Sequence, residues 1–188
     1  MSDRSSLFAA TTLLVTSVFA AAYGYPGSDS AARLEGHGVV PDFAASGTEA
    51  VPPDTTAEAL WRHLQAEDYR RNWKLWPGKG QLYSGTEPHG MLLTTYANDI
   101  AQQALAKGQV TGLPAGSIIV KENYMPDSAF AAATVMYKVD GYNPDHQNWL
   151  FAKYDPKGNT EAFGRAPMCQ ACHQGAKSGA YIFTPVPR

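Results

Sequence analysis

Both cysteines of this 188-residue chain lie in one pentapeptide near its C-terminal end, Cys169-Gln170-Ala171-Cys172-His173. No other feature narrows the possible folds so far. Two thiols separated by two residues, with an imidazole directly after the second, have the spacing of c-type haem attachment. A tight, roughly helical turn aims both thiols at the two vinyl groups of one porphyrin edge, and the next residue presents its imidazole to the iron. Cys169 and Cys172 are thus the candidate thioether anchors, and His173 is the candidate proximal iron ligand. The rest of the chain must then wall in one covalent haem c.

Three other uses of the motif fit less well. Structural zinc takes four ligands, usually as two paired half-sites, and the chain has no second cysteine pair. His146 would have to supply a ligand with nothing beside it. A thioredoxin-like redox pair belongs near the start of a helix in a βαβ unit. A disulfide across two intervening residues closes too short a loop to stabilise much.

The N-terminal sequence agrees with haem attachment outside the cytoplasm. Arg4 precedes an uncharged apolar run from Leu7 to Ala22 that ends in Ala20-Ala21-Ala22. That is the layout of a secretory signal peptide, and the run is short for a membrane span of about 20 residues. Residues 1–22 are therefore read as a signal cut after Ala22, which implies a periplasmic protein. Residues 23–53, rich in Gly, Pro, Ser and Ala, read as a flexible leader containing a solvated His37. Residues 54–188 remain as a single haem domain. A formal net charge of −2 argues against nucleic acid as a partner and leaves no polybasic patch for lipid.

Regular structure begins at "DTTAEALWRHLQAEDYRRNWKLW". Thr55 and Glu58 fit a capping box. Leu60, Trp61, Leu64, Tyr69, Trp73 and Trp76 follow helical spacing until Pro77-Gly78 ends the run, with His63 on the surface. Beyond it the hydrophobic period falls to two. Residues 90–97, 116–124, 133–141 and 148–155 read as strands, with 179–186 as a candidate last one. Residues 98–108 read as a short helix capped by Asn98 and stopped by Gly108. An N-terminal helix, one inserted helix and these strands predict an α+β domain around a mainly antiparallel sheet, with haem attached near the C-terminus. Tyr137, Trp149, Phe151 and Tyr154 are assigned to core and haem wall, and Lys138 and Lys153 to the outward face.

What stands on the iron's other face decides the function. A strong sixth ligand makes an electron carrier, whereas an open position lets small molecules bind. Met168 is tethered beside Cys169 and cannot serve. Met91, Met125, Met136, His89, His146 and Lys121 are the candidates. Of these, Met91 and Met136 are expected in strand core, His146 in a turn, and His89 toward solvent.

A late haem motif on a strand-rich body resembles the cytochrome P460 family, whose sheet-rich relatives are also called cytochromes c′-beta. The stretches that carry the resemblance are "MLLTTYANDIAQQAL", "LPAGSIIVKENY", "VMYKVDGY", "NWLFAKYDPKG" and "CQACHQGAKSGAYIFTP", from about Leu60 to the C-terminus. The resemblance implies an antiparallel sheet, a five-coordinate haem with an accessible distal side, and a homodimer. In cytochromes P460 a strand lysine is joined covalently to a meso carbon of the haem, and Lys121 in "GSIIVKENY" matches it by position. Alternation puts Lys121 on the face of Ile119 and Asn123, opposite Ile118, Val120 and Glu122. Spacing alone would leave its amine in water. The resemblance instead implies a desolvated amine whose lone pair is free to attack an oxidised porphyrin.

The activity so implied is oxidation of hydroxylamine with nitric oxide in the cycle, electrons leaving to a redox partner such as a soluble cytochrome c. The alternative is non-enzymatic: a scavenger or sensor of nitric oxide and carbon monoxide, or an electron-transfer cytochrome c. Two departures bear on this choice. The strand "MLLTTY" lacks the arginine that oxidising members carry there. Glu122 falls on the wrong face to handle protons, leaving Asp140 as the remaining carboxylate candidate.

Overall fold

A computed structural model describes residues 53–86, 88–184 and 186–187. The expected signal peptide, and the leader apart from Pro53, lie outside the described residues. The α+β fold predicted from the sequence is the one observed. Strands β1 (Lys74–Leu75), β2 (Tyr83–Ser84), β3 (Leu92–Ala97), β4 (Ile118–Tyr124), β5 (Phe130–Lys138), β6 (Trp149–Tyr154) and β7 (Thr160–Gly164) form one antiparallel sheet. Its order is β1-β3-β4-β5-β6-β7, with β2 also paired to β3. The helices are α1 (Ala57–Ala66), α2 (Tyr69–Asn72), α3 (Asp99–Ala106) and α4 (Pro167–His173).

Period-two alternation sorts the sheet into two apolar faces. Ile118 and Val120 of β4, Val135 and Tyr137 of β5, and Leu150 and Tyr154 of β6 pack with Leu60 and Leu64 of α1. Their sequence neighbours Ile119, Trp149 and Phe151 join Trp76, Leu105 and Tyr181 on the opposite face. The Tyr154 hydroxyl donates to the Ala57 carbonyl at 2.9 Å and pins the start of α1 to β6. The inserted helix is as expected: the Asn98 side chain accepts from the Ala101 amide, and α3 ends at Ala106.

The sequence reading needs correction at both ends of the domain. The α1 cap is Thr56, not Thr55, and its hydroxyl accepts from the Ala59 amide. One helix does not continue to Trp76. Asp68 takes a left-handed conformation (φ 42°) and breaks the run before α2. An acid with a short polar side chain tolerates that region better than most residues. The break lets Trp73 pack against one face of the sheet and Trp76 against the other. The described residues of 179–186 form no strand: Ala180 and Tyr181 are both left-handed, following a 3-10 segment at Gln174–Gly179. The last strand is β7, a short stretch too polar to show a clear apolar period.

Candidate functional site

Helix α4 carries the cysteine motif. Pro167 opens it at the first helical position, where its missing N–H costs nothing. Cys169, Cys172 and His173 are then spaced i, i+3 and i+4, which puts all three side chains on one helical face. Cys169 is half-buried and Cys172 exposed, both as free thiols. Burial pushes the Cys169 thiol above its ordinary pKa. Met168 is 87% exposed and stands at the edge of the cavity that Cys169, Cys172 and His173 line.

His173 is buried, 8% exposed. Its Nδ1 lies 2.6 Å from the Tyr181 carbonyl oxygen. A carbonyl only accepts, so Nδ1 carries the proton and Nε2 keeps the lone pair. This is the arrangement that orients a metal-binding imidazole and fixes its tautomer. The left-handed residues Ala180 and Tyr181 produce it, because they turn the chain back over the helix. Phe151 and Phe183 flank the ring at centroid distances of 5.3 and 5.6 Å. Burial lowers the His173 pKa, with the Tyr181 bond opposing and the Lys121 charge reinforcing that shift.

Two cavities of about 390 and 330 Å³ share Pro88, His89, Cys172 and His173 as a common wall. A smaller apolar recess between Trp76, Ile119 and Phe151 opens onto His89, Lys121 and His173. Free space of this size, next to an apolar recess and with polar groups converging from Lys121, His89 and His173, suits a flat organic cofactor. The donor set fits haem as well: two thiols at the rim and an oriented imidazole with Nε2 free. Zinc fits badly, since no three His, Cys, Asp or Glu side chains gather among the described residues. The antiparallel pairing of every strand likewise removes the βαβ context of a thioredoxin-like pair.

Strand β4 aims Lys121 into the site. Its side chain lines the apolar recess and the larger cavity, as parity requires, while Glu122 points to the other face. Burial lowers the Lys121 pKa, and the Lys79 charge adds to the effect. Asn123, 6% exposed, lines the second cavity with its Oδ1 unpaired.

His89 is the residue the sequence reading misplaced. It lines all three cavities instead of facing solvent. Burial lowers its pKa to about 4, with Lys121, His173 and Lys153 adding to the shift and Asn123 opposing it. Two glycines shape the loop that presents it. A Cβ on Gly85 would collide with the Gly90 carbonyl and Leu93, and Gly90 has φ +95°. The "HG" pair before a strand was the available signal.

The other candidates separate cleanly. Met91 is 58% exposed rather than strand core, and Met125 is 53% exposed. Met136 lines the apolar recess. His146 lies in a 3-10 turn with its Nδ1 3.3 Å from the Tyr181 hydroxyl. Lys153 is not outward: it shares the parity of Phe151, borders the second cavity and pairs with Glu161 at 2.7 Å. Phe183 and the Tyr181 carbonyl escaped the sequence reading because residues 179–186 resembled a strand.

Residues 66–184 match the model of a family described as cytochrome P460. No curated protein matches the chain.

Proposed function

The chain belongs to the cytochrome P460 family of haem proteins, and from that premise we propose that it is an exported, periplasmic protein with one covalent haem c that binds nitric oxide and hydroxylamine and passes electrons from hydroxylamine to a soluble cytochrome c or similar partner. One observation carries the reading. A buried histidine, His173, keeps Nε2 free where two cavities meet, with Cys169 and Cys172 at their rim. When bound, the haem supplies an iron centre that coordinates small nitrogen ligands and changes oxidation state.

The chain's own residues do the rest. Cys169 and Cys172 would form the thioethers and His173 would bind the iron, held in orientation by the Tyr181 carbonyl. Phe151 and Phe183 exclude water around the imidazole. Lys121 would hold a meso carbon of the haem through its amine, a C–N bond replacing one N–H and one C–H, with an oxidant of the peroxide class taking up the two electrons and two protons released. A desolvated amine favours the neutral form this bond requires.

No carboxylate lines the three cavities among the described residues. Hydroxylamine oxidation releases protons, so this favours a second reading: a non-enzymatic scavenger or sensor of nitric oxide and carbon monoxide. Expression of the full chain with cytochrome c maturation machinery tests both. Expected are the mass increment of one haem, nitric oxide binding, and electron transfer from hydroxylamine to an added acceptor. Binding without transfer selects the second reading, and a colourless protein refutes both. Lys121→Ala should turn a red-shifted, broadened band into an ordinary c-type spectrum. An ordinary spectrum in the fully matured wild type would remove the cross-link.

A further inference from the structure

His89 and His173 face each other where the cavities meet. We propose that His89 is the sixth ligand of the haem iron in the resting protein, so that a small molecule reaches the metal only when His89 leaves it. The inference rests on a haem being held through Cys169, Cys172 and His173 as above, and it replaces the open distal side that the family resemblance implied.

Distance is the first support. The two ring centroids are 6.0 Å apart, with an angle of 82° between the planes. With metal–imidazole bonds of about 2 Å on both faces, two axial rings have centroids roughly 6 Å apart. A distal histidine that only hydrogen-bonded to an iron-bound ligand would stand roughly 3 Å further away. The observed centroid separation is the one that two imidazoles on a single metal ion take.

Tautomer is the second support, and it is independent. His89 Nδ1 lies 3.3 Å from Thr134 Oγ1. The Thr134 hydroxyl already donates its one proton to the Lys121 carbonyl at 3.1 Å. Toward His89 it can therefore only accept, so Nδ1 carries the proton and the lone pair sits on Nε2. His173 has the same tautomer for the same kind of reason, through the Tyr181 carbonyl. Both imidazoles thus have Nδ1 occupied by an orienting partner and Nε2 free, as metal-binding histidines do.

Position and hold complete the case. Met91 lines none of the three cavities, Met125 and Met168 border only the second and are 53% and 87% exposed, and Met136 borders only the apolar recess, whereas His89 borders all three beside His173. His89 stands on the loop between β2 and β3, whose base is closed by the Gly85 amide donating to the Met91 carbonyl at 2.8 Å. A closed base with a long, 3.3 Å bond between the ring and Thr134 gives a ligand that is presented accurately yet displaced easily.

The full chain, matured with haem, is tested by optical and electron paramagnetic resonance spectroscopy and by carbon monoxide mixing. Wild type should be low-spin when ferric, with the single large g value that perpendicular axial rings produce. Ferrous protein should bind carbon monoxide at a rate that saturates with gas concentration, because departure of His89 limits it. His89→Ala should be high-spin, bind carbon monoxide at least tenfold faster without saturation, and return to low-spin on adding imidazole. Thr134→Val keeps the ligand but loses its partner, and should stay low-spin while binding carbon monoxide severalfold faster. A high-spin wild type carrying haem would overturn this inference alone, as would a low-spin His89→Ala. Absence of the haem mass would overturn it together with the function proposed above.

Discussion

Glu122 offers a measurement of how far the sheet insulates its two faces. It is fully buried on the face away from the cavities. Its Oε1 accepts from the Tyr69 hydroxyl at 2.8 Å and from Arg70 Nε, and its Oε2 accepts from the Tyr124 hydroxyl at 2.6 Å. Glu122→Gln keeps the shape and removes the charge. Hydrogen bonds to a charged group contribute about 1.5–3 kcal/mol and neutral ones about 1 kcal/mol, so two phenol bonds lose about 1 kcal/mol each. Arg70 is half exposed, so its pairing adds under about 1 kcal/mol. Relief of a desolvated charge offsets part of this. The net expectation is a loss of about 2 kcal/mol, or about 8 °C in Tm for a domain of this size. Thermal and urea unfolding at neutral pH read it, with the visible haem spectrum recorded alongside. A loss below about 0.5 kcal/mol would show that the charge adds nothing net. A changed iron spectrum would show that the faces are not insulated.

Two further outcomes follow from the same geometry. Burial and Glu122 raise the pKa values of Tyr69 and Tyr124 above their ordinary 10.0. The folded state then holds these protons more tightly than the unfolded chain, so their stabilisation is complete below about pH 10 and is lost as pH rises beyond it. Urea midpoints should fall from pH 10 to 11, and a flat or rising midpoint would refute this; Glu122→Gln should make the fall shallower. Gly85→Ala places a Cβ against the Gly90 carbonyl and Leu93, so the His89 loop must shift. It should move the haem spectrum toward that of His89→Ala and lower the urea midpoint, because Leu93 is buried, and an unmoved spectrum would refute the loop's role.

The sheet was largely legible because alternation is a local signal. Ile118, Val120 and Glu122 on one side, with Ile119, Lys121 and Asn123 on the other, follow from period two once β4 is recognised. The face of Lys121 was therefore readable, as was the i, i+3, i+4 spacing on α4. What stayed hidden depends on single backbone conformations. Asp68 at φ 42° stops a helix whose apolar spacing continues through Trp73 and Trp76. Ala180 and Tyr181 turn an apparently alternating run into a wrap over His173, and neither is a glycine that would have announced the turn. His89 was misplaced for a related reason. Its approach to His173 is set by how the β2–β3 loop closes across the sheet, which no local pattern encodes.

Three consecutive residues of β4 therefore divide the molecule's labour. Lys121 and Asn123 face the cavities, and Glu122 anchors the opposite core through two phenols and a guanidinium. Pairing on both sides locks this parity, with Lys121 opposite Thr95 of β3 and Thr134 of β5. A slip of one residue would send a carboxylate to the cavities and a lysine into the aromatic cluster around Tyr69 and Tyr96. The buried carboxylate thus favours this parity as well as adding stability, because its three partners lie on the face away from the cavities. The same register places Thr134 where its hydroxyl can donate to the Lys121 carbonyl and accept from His89. The orientation of the proposed sixth ligand is therefore determined on the far side of the sheet as much as at the iron.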